Sequence, residues 1–455
     1  MSEGRFDAII VGAGQAGPAL AGRLTGAGME VALIERHLVG GTCVNTGCMP
    51  TKTMVASAYA AHLARRTDLG VAAADVRVDY ARVKARANSV SATNRGNITA
   101  WLEGMERLTF LRGHAHFEGP DRIRVGNNVL TAPRIFLNVG GRAFTPELPG
   151  VGDVPHLDNS SLLALEELPE HLLVVGGSYV GLEFAQIFRR LGSLVTVVER
   201  NERLIMREDE EISQAVREIL EAEGIAIRTG AECIRLLPGP AIALDCEDGP
   251  PEIEGSHVLL AVGRRPNTDD LGLEAAGIAV DKRGYIAVDD RLATNVPGIW
   301  ALGECNGRGA FTHTAYNDFE IVAANLLDGG DRKLSDRIPA YALYVDPPLG
   351  RAGMTEAEAR ASGRPLLVSR RPMSKVGRAI EKGETLGMMK AVADAETGQI
   401  LGAAILGTGG DEAIHGVLDM MHAKQPWQVL RDVVPIHPTV SELIPTLLGD
   451  LAPAP

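Results

Sequence analysis

The stretch Phe6-Asp-Ala-Ile-Ile-Val11-Gly12-Ala-Gly14-Gln-Ala-Gly17 decides the fold. Ile9, Ile10 and Val11 end a short apolar run that reads as a buried strand; the glycines break it, and a helix-compatible run continues to about Gly26. A second apolar strand, Glu30-Val-Ala-Leu-Ile-Glu35, closes the unit on an acid. The same pattern returns once. Leu172-Leu-Val-Val175 leads into Gly176-Gly-Ser178-Tyr179-Val-Gly181, a helical run to about Leu191, and the strand Leu194-Val-Thr-Val-Val-Glu199.

In a strand-turn-helix-strand unit of this kind the first glycine (Gly12, Gly176) permits the tight turn. The second (Gly14) lets backbone approach a pyrophosphate, and the third (Gly17, Gly181) lets helix pack on strand. The amino terminus of the helix then faces the phosphates. Glu35 and Glu199 each lie 18 residues past the last glycine, in register to bind ribose hydroxyls. Ser178 replaces the middle glycine of the second copy, a departure at the point of phosphate approach. One such fingerprint arises by chance; two complete units with both acids in register point to two dinucleotide sites, between which electrons pass.

Composition narrows the rest. With 58 acidic and 45 basic side chains the net charge is −13, so neither nucleic acid nor an anionic membrane surface is an expected partner. Apolar residues at 45% and charged residues at 23% mark a globular chain. The 52 glycines, without a collagen period, imply many tight turns. Five cysteines, an odd number, do not make an extracellular disulfide framework, and a cytoplasmic, reducing compartment is expected. The apolar run at residues 8–20 is flanked by acids and rich in glycine, unlike a signal peptide, and no uninterrupted apolar stretch has the length of a membrane span.

Behind the first unit stands Gly40-Gly41-Thr42-Cys43-Val-Asn-Thr-Gly47-Cys48-Met-Pro50-Thr-Lys52. Positions five apart on a regular helix point about 140° away from each other, so Cys43 and Cys48 meet only if the backbone is distorted. Gly47 and Pro50 allow that. Two cysteines so spaced are either inert buried thiols or a redox pair, and a place directly behind a dinucleotide fingerprint favours the redox pair. Near the carboxyl end His437-Pro-Thr-Val-Ser-Glu442 sets a proton-exchanging imidazole near a carboxylate able to fix its tautomer. Cys233, Cys246, Cys305 and the remaining histidines show no metal-ligand spacing, and no metal site is expected. Glu208-Asp-Glu-Glu-Ile212 reads as a solvated helix start, Gly398–Gly407 as a buried strand and Glu412–His422 as an amphipathic helix.

These motifs resemble the class I pyridine nucleotide-disulfide oxidoreductases, the family of dihydrolipoamide dehydrogenase, glutathione reductase and mercuric reductase. Asn138-Val-Gly-Gly-Arg142 resembles the segment returning from the first FAD region. Ala261-Val-Gly-Arg-Arg-Pro-Asn267 is similar to the end of the nicotinamide domain, and Ile299-Trp-Ala-Leu-Gly-Glu304 to the second FAD motif, with Glu304 where the family usually has Asp. The resemblance implies an α/β fold of two Rossmann-like dinucleotide-binding domains, for FAD and NAD(P), plus a C-terminal α+β dimerisation domain. The expected segments are 1–145 and 266–335 for FAD, 146–265 for NAD(P) and 336–455 for the interface. It implies FAD contacts at Gly12, Gly14, Gly17, Glu35, Arg36, Gly41, Thr42, Lys52, Gly140, Gly303 and Glu304. Nicotinamide-nucleotide contacts fall at Gly176, Ser178, Tyr179, Gly181, Glu199, Arg200, Gly263 and Arg264. Cys48 then lies nearest the flavin, Cys43 attacks substrate, Lys52 and Glu183 pair beside the flavin, and Tyr179 is an aromatic lid that swings aside for nicotinamide. His437 with Glu442 is the base, reaching the disulfide of the other subunit of a homodimer.

NADH is expected over NADPH because Glu199 stands where a 2′-phosphate would go, although Arg200 and Arg203 follow closely. Cys43-Val-Asn-Thr-Gly-Cys48-Met-Pro-Thr-Lys52 and Asp346-Pro-Pro-Leu-Gly-Arg-Ala-Gly-Met354 look like the mercuric-reductase-like branch. The chain ends Gly449-Asp-Leu-Ala-Pro-Ala-Pro455, without the cysteine pair expected of a working mercuric reductase. Three readings compete: reduction of a small disulfide or the reverse, reduction of a metal ion or oxidant by the Cys43/Cys48 dithiol, and a dihydrolipoamide dehydrogenase subunit docked on a lipoyl-bearing partner. The apolar residues 417–421 with Leu443, Leu447 and Leu448 are expected to form surface that a second copy covers.

Overall fold

The computed structural model describes residues 2–231, 234–244 and 252–454. Cys233 and Cys246 lie outside the described residues. The chain divides into two compact units. One comprises Met1–Thr53, Lys84–Phe144 and Gly263–Arg337, the other Met54–Val83, Thr145–Val262 and Ile338–Pro455.

The first unit is built on a five-stranded parallel sheet in the order Ile299–Ala301, Ile135–Leu137, Ala8–Val11, Val31–Glu35, Leu108–Arg112. Its central strands are apolar up to Glu35, the last residue of Val31–Glu35, because both faces are covered. Ile9, Val11, Ala32, Ile34, Ile135 and Leu137 fill one core, and Ala8, Ile10, Val31, Leu33 and Phe136 fill the other. Helices Ala16–Gly26 and Thr312–Leu327 cover the second face through Leu20, Leu24, Phe319 and Val322. All strands run the same way, so both glycine turns and helix starts of such a sheet collect at its carboxyl edge, the usual place for a ligand.

Among the described residues the second unit holds a three-stranded antiparallel sheet, Arg235–Leu237, Ala241–Ala243 and Glu252–Glu254, and two larger sheets. A parallel one runs Ala226–Arg228, Leu194–Val198, His171–Val175, His257–Leu260. The other has six strands, beginning Ala340–Leu343, Leu349–Gly353, Ile400–Leu406, Met388–Asp394, Leu366–Pro372. Strand Ile400–Leu406 and helix Gly410–His422 fall where the sequence pattern put a buried strand and an amphipathic helix.

Two sequence expectations fail here. Glu208 and Asp209 are buried rather than solvated, because Arg351 and Lys390, on strands far along the chain, pair with them. Val417, Leu447 and Leu448 are also buried: they fill the core beneath the six-stranded sheet with Ala391, Ile405 and Ile414. The two most exposed large apolar side chains among the described residues, Val434 at 96% and Ile436 at 79%, lie between helix Gly410–His422 and His437.

Candidate active site

The two glycine turns are built alike. A Cβ on Gly12 or Gly176 would meet the carbonyl oxygen of Asn138 or Ala261 at 2.2 and 2.4 Å, and one on Gly17 or Gly181 would meet that of Gly12 or Gly176 at 2.1 Å. The acids play one role in both. Glu35 accepts from Ala13 N–H at 2.8 Å and Glu199 from Gly177 N–H at 2.6 Å, while their other oxygens accept from His37 N–H and Asn201 N–H. Each carboxylate thus straps its own turn and keeps lone pairs for a hydroxyl. Helices Ala16–Gly26 and Tyr179–Leu191 carry no acid in their first turn, and neither Gln15 nor Ser178 before them caps the helix with its side chain. Their positive ends are open to an anion, which fits a dinucleotide in each unit.

The redox motif behaves as its spacing requires. Helix Gly41–Asn45 stops, and a new helix, Cys48–Arg65, starts at the second cysteine. At the break, a Cβ on Gly47 would press on Thr42 O at 2.9 Å. Pro50 falls in the first turn of the new helix, where no backbone donor is missed. Cys43 and Cys48 are half-buried and hydrogen-bonded to each other. That bond, burial and the Cys48 charge push the Cys43 thiol well above its ordinary value; Thr312 and the Lys52 ammonium act the other way. Thr312, first residue of helix Thr312–Leu327, also lies 3.4 Å from Cys48 Sγ. Gly41 packs against the first glycine turn, its Cβ position 3.0 Å from Gly14 Cα, and Thr42 is exposed beside Cys43.

The remaining first-unit residues make a connected set. Arg264 bridges Glu304 Oε1 and Gly141 O. Gly140 O accepts from Asn267 N–H at 3.0 Å. Gly303 N–H donates to buried Asp318 at 2.7 Å, and Gly263 is exposed. Arg36 is paired with Asp270 at 2.7 Å. Three residues were given no role of their own by the sequence reading. Asn138 binds Gly17 N–H at 3.1 Å and Leu302 O at 3.1 Å, joining the glycine helix to the second FAD-like segment. It could have been suspected as a lone amide closing the apolar strand Ile135–Leu137. Asp318, an acid on an apolar helix face, left a fainter signal, and Thr312 left none.

In the second unit Glu183 is buried and accepts from Tyr344 N–H at 3.0 Å. Tyr179 is half-buried at the helix start, and Arg200 is exposed. His437 Nδ1 lies 2.8 Å from Glu442 Oε2, with the imidazole exposed. With Nδ1–H donating to the carboxylate, Nε2 carries the lone pair.

The chain is similar along nearly its whole length to known proteins. Residues 6–318 match the pyridine nucleotide-disulphide oxidoreductase model and residues 339–448 its dimerisation domain. The chain is 36% identical to the probable pyridine nucleotide-disulfide oxidoreductase RclA of Escherichia coli over 98% of its own length and 99% of RclA. The Cu(II) complex of that HOCl-induced flavoprotein disulfide reductase superposes with a TM-score of 0.88, covering 98% of this chain and 99% of that one at 36% identity. A mercuric reductase of Bacillus cereus is 32% identical over 90% of this chain and 66% of its own length. A dihydrolipoyl dehydrogenase of Thermus scotoductus is 33% identical over 96% and 95%.

Proposed function

The chain belongs to the class I pyridine nucleotide-disulfide oxidoreductases, flavoproteins that carry electrons between a pyridine nucleotide and a disulfide, and on that premise we propose that it takes them from NADH to a small-molecule disulfide through Cys48 and Cys43. The net reaction consumes NADH and a proton and converts one S–S bond into two thiols. Segments 1–145 and 266–335, through Gly12, Gly14, Gly17, Glu35 and Glu304, would hold FAD, which when bound would supply two-electron chemistry between hydride and thiols. NADH lies on segment 146–265, with Tyr179 as the movable ring that nicotinamide displaces. Cys43 as thiolate attacks one substrate sulfur and expels the other; Cys48 then attacks Cys43, releases the second thiol and re-forms the disulfide. Because hydrogen bonding and burial hold Cys43 in its thiol form, a base is needed, and His437 oriented by Glu442 supplies it from the partner copy. We place the reaction in the cytoplasm.

The observation that carries this reading is the thiol pair at the helix break, with Thr312 and Lys52 beside it. NADH rather than NADPH is favoured because Glu199 is buried at the strand end. Arg203, which could have offset it, donates to Glu208 O at 2.7 Å and Met206 O at 3.1 Å. A second reading, reduction of a metal ion or oxidant by the same dithiol, is favoured by the likeness to RclA, described as HOCl-induced and solved with Cu(II). Steady-state NADH oxidation against small disulfides, lipoamide, Cu(II), Hg(II) and hypochlorite separates the readings. Saturable turnover with a disulfide supports the first; turnover with only metal or oxidant replaces it with the second.

A further inference from the structure

Tyr179 belongs to a file of polar groups that ends in the C-terminal sheet. Its hydroxyl is hydrogen-bonded to that of Tyr341 and lies 3.5 Å from Glu208 Oε1, to which Tyr341 donates at 2.7 Å. The two rings meet edge to face, centroids 5.5 Å apart at 86°, and the Arg207 guanidinium lies over the Tyr179 ring at 5.4 Å. The other oxygen of Glu208 accepts from Arg351 Nε at 3.1 Å and from Arg351 Nη2. Glu208 is 2% and Arg351 1% exposed. Tyr341 and Arg351 face each other across the ladder between Ala340–Leu343 and Leu349–Gly353, so both side chains leave the sheet on one face. Burial, then the neighbouring hydroxyl and carboxylate, hold the Tyr179 proton in place, so it remains a donor.

An ion pair buried this deeply gains little stability over apolar packing; its best-attested use is to fix a position. We propose that Tyr341, held by Glu208 and Arg351, is a tether that sets the resting position of Tyr179 and thereby the concentration of NADH at which the flavin is reduced. This rests on the reading of Tyr179 as the ring that nicotinamide displaces. The tethered ring must leave its hydrogen bonds before nicotinamide enters, so only an untethered fraction is ready to bind, and the apparent dissociation constant is raised by the inverse of that fraction. Tyr341 and Glu208 act through Tyr179 and are positioning residues.

The test follows flavin reduction by rapid mixing of the FAD-loaded dimer with NADH over a range of concentrations. Tyr341→Phe keeps the ring and removes the hydroxyl, and Tyr179→Phe cuts the tether from the other side. Each should lower half-saturating NADH about 3- to 10-fold, the effect of one net hydrogen bond, and Tyr341→Phe should change the limiting rate by less than about two-fold. Tyr179→Ala, which removes the ring, should lower half-saturation at least as far. If Tyr179→Ala shifts it and neither phenylalanine variant does, the lid reading stands and the tether is overturned. If none of the three shifts it, the lid reading fails and takes the tether with it. A fall in limiting rate at unchanged half-saturation also overturns the tether, since that is what disturbed folding would produce.

Discussion

Asn138 and Ala261 occupy the same point in the two glycine units, each donating its N–H at 2.8 Å to the last residue of the first strand, Val11 O and Val175 O. Their side chains explain why the fingerprints differ. Asn138 Oδ1 would stand 2.9 Å from a Cβ on Gly14, so glycine is required there. Ala261 carries only a methyl group and no side-chain oxygen, and Ser178 stands at the matching position.

Asn138→Ala should therefore both weaken the fold and relax this requirement. It strips Gly17 N–H and Leu302 O of their partner in a buried place, an expected loss of about 1–3 kcal/mol in denaturant unfolding. Gly14→Ala should release FAD more readily from the native background than from Asn138→Ala, and Ser178→Ala should leave NADH binding near wild type. Equal FAD loss in both backgrounds would remove the side-chain explanation.

Much of this was legible in the sequence because it is local. The strands, the glycine helices and the break between Cys43 and Cys48 follow from periodicity and from spacing on a helix. Glu208 was misread because Arg351 and Tyr341, which turn a solvated charge run into a buried one, come from strands far along the chain. Leu447 and Leu448 were assigned to an interface for the same reason: the sheet they cover is their own. Thr312 escaped because one threonine has no pattern around it.

Coenzyme choice tests the environment of Glu199. A 2′-phosphate would meet a buried carboxylate that already accepts from Gly177 N–H and Asn201 N–H, while Arg203 is held on backbone carbonyls. We expect kcat/KM for NADH to exceed that for NADPH by about tenfold or more, the scale of a single unfavourable charge contact. Preference for NADPH would mean that Arg200 or Arg203 turns to the phosphate.

Acid stability tests the buried charges around Lys390. Glu211 accepts from Lys390 and Arg370, both at 2.6 Å. Burial alone would raise its carboxyl, but those two hydrogen bonds prevail and hold it at about 2. A carboxyl lowered by folding adds stability above its unfolded value and loses that contribution as pH falls toward the folded one. Glu211→Gln should lower Tm at pH 7, and the gap to wild type should close as pH drops from about 5 to about 3. A gap independent of pH would assign the loss to packing.

His437 tests the shared site. His437→Ala should leave flavin reduction by NADH fast and slow the disulfide half-reaction by about 10² to 10⁴. Chains carrying Cys43→Ala and His437→Ala, each inactive alone, should regain activity when subunits exchange, since each mixed dimer holds one complete site. No recovery despite proven exchange would mean that the base acts within its own chain or not at all.

The central claim, that electrons pass through Cys43 and Cys48, is tested most directly by anaerobic titration of the purified flavoprotein with dithionite, with thiols mapped by alkylation at each step. Cys305 serves as an internal control, being fully buried with its thiol pushed up to about 12. The account predicts that the oxidised enzyme takes up two electrons beyond those needed for the flavin, and that new thiols appear at Cys43 and Cys48. The Cys43→Ser, Cys48→Ser double variant should take up only the flavin's share. A wild-type enzyme that accepts no more than its flavin does, with no thiol gained at either cysteine, would contradict the account.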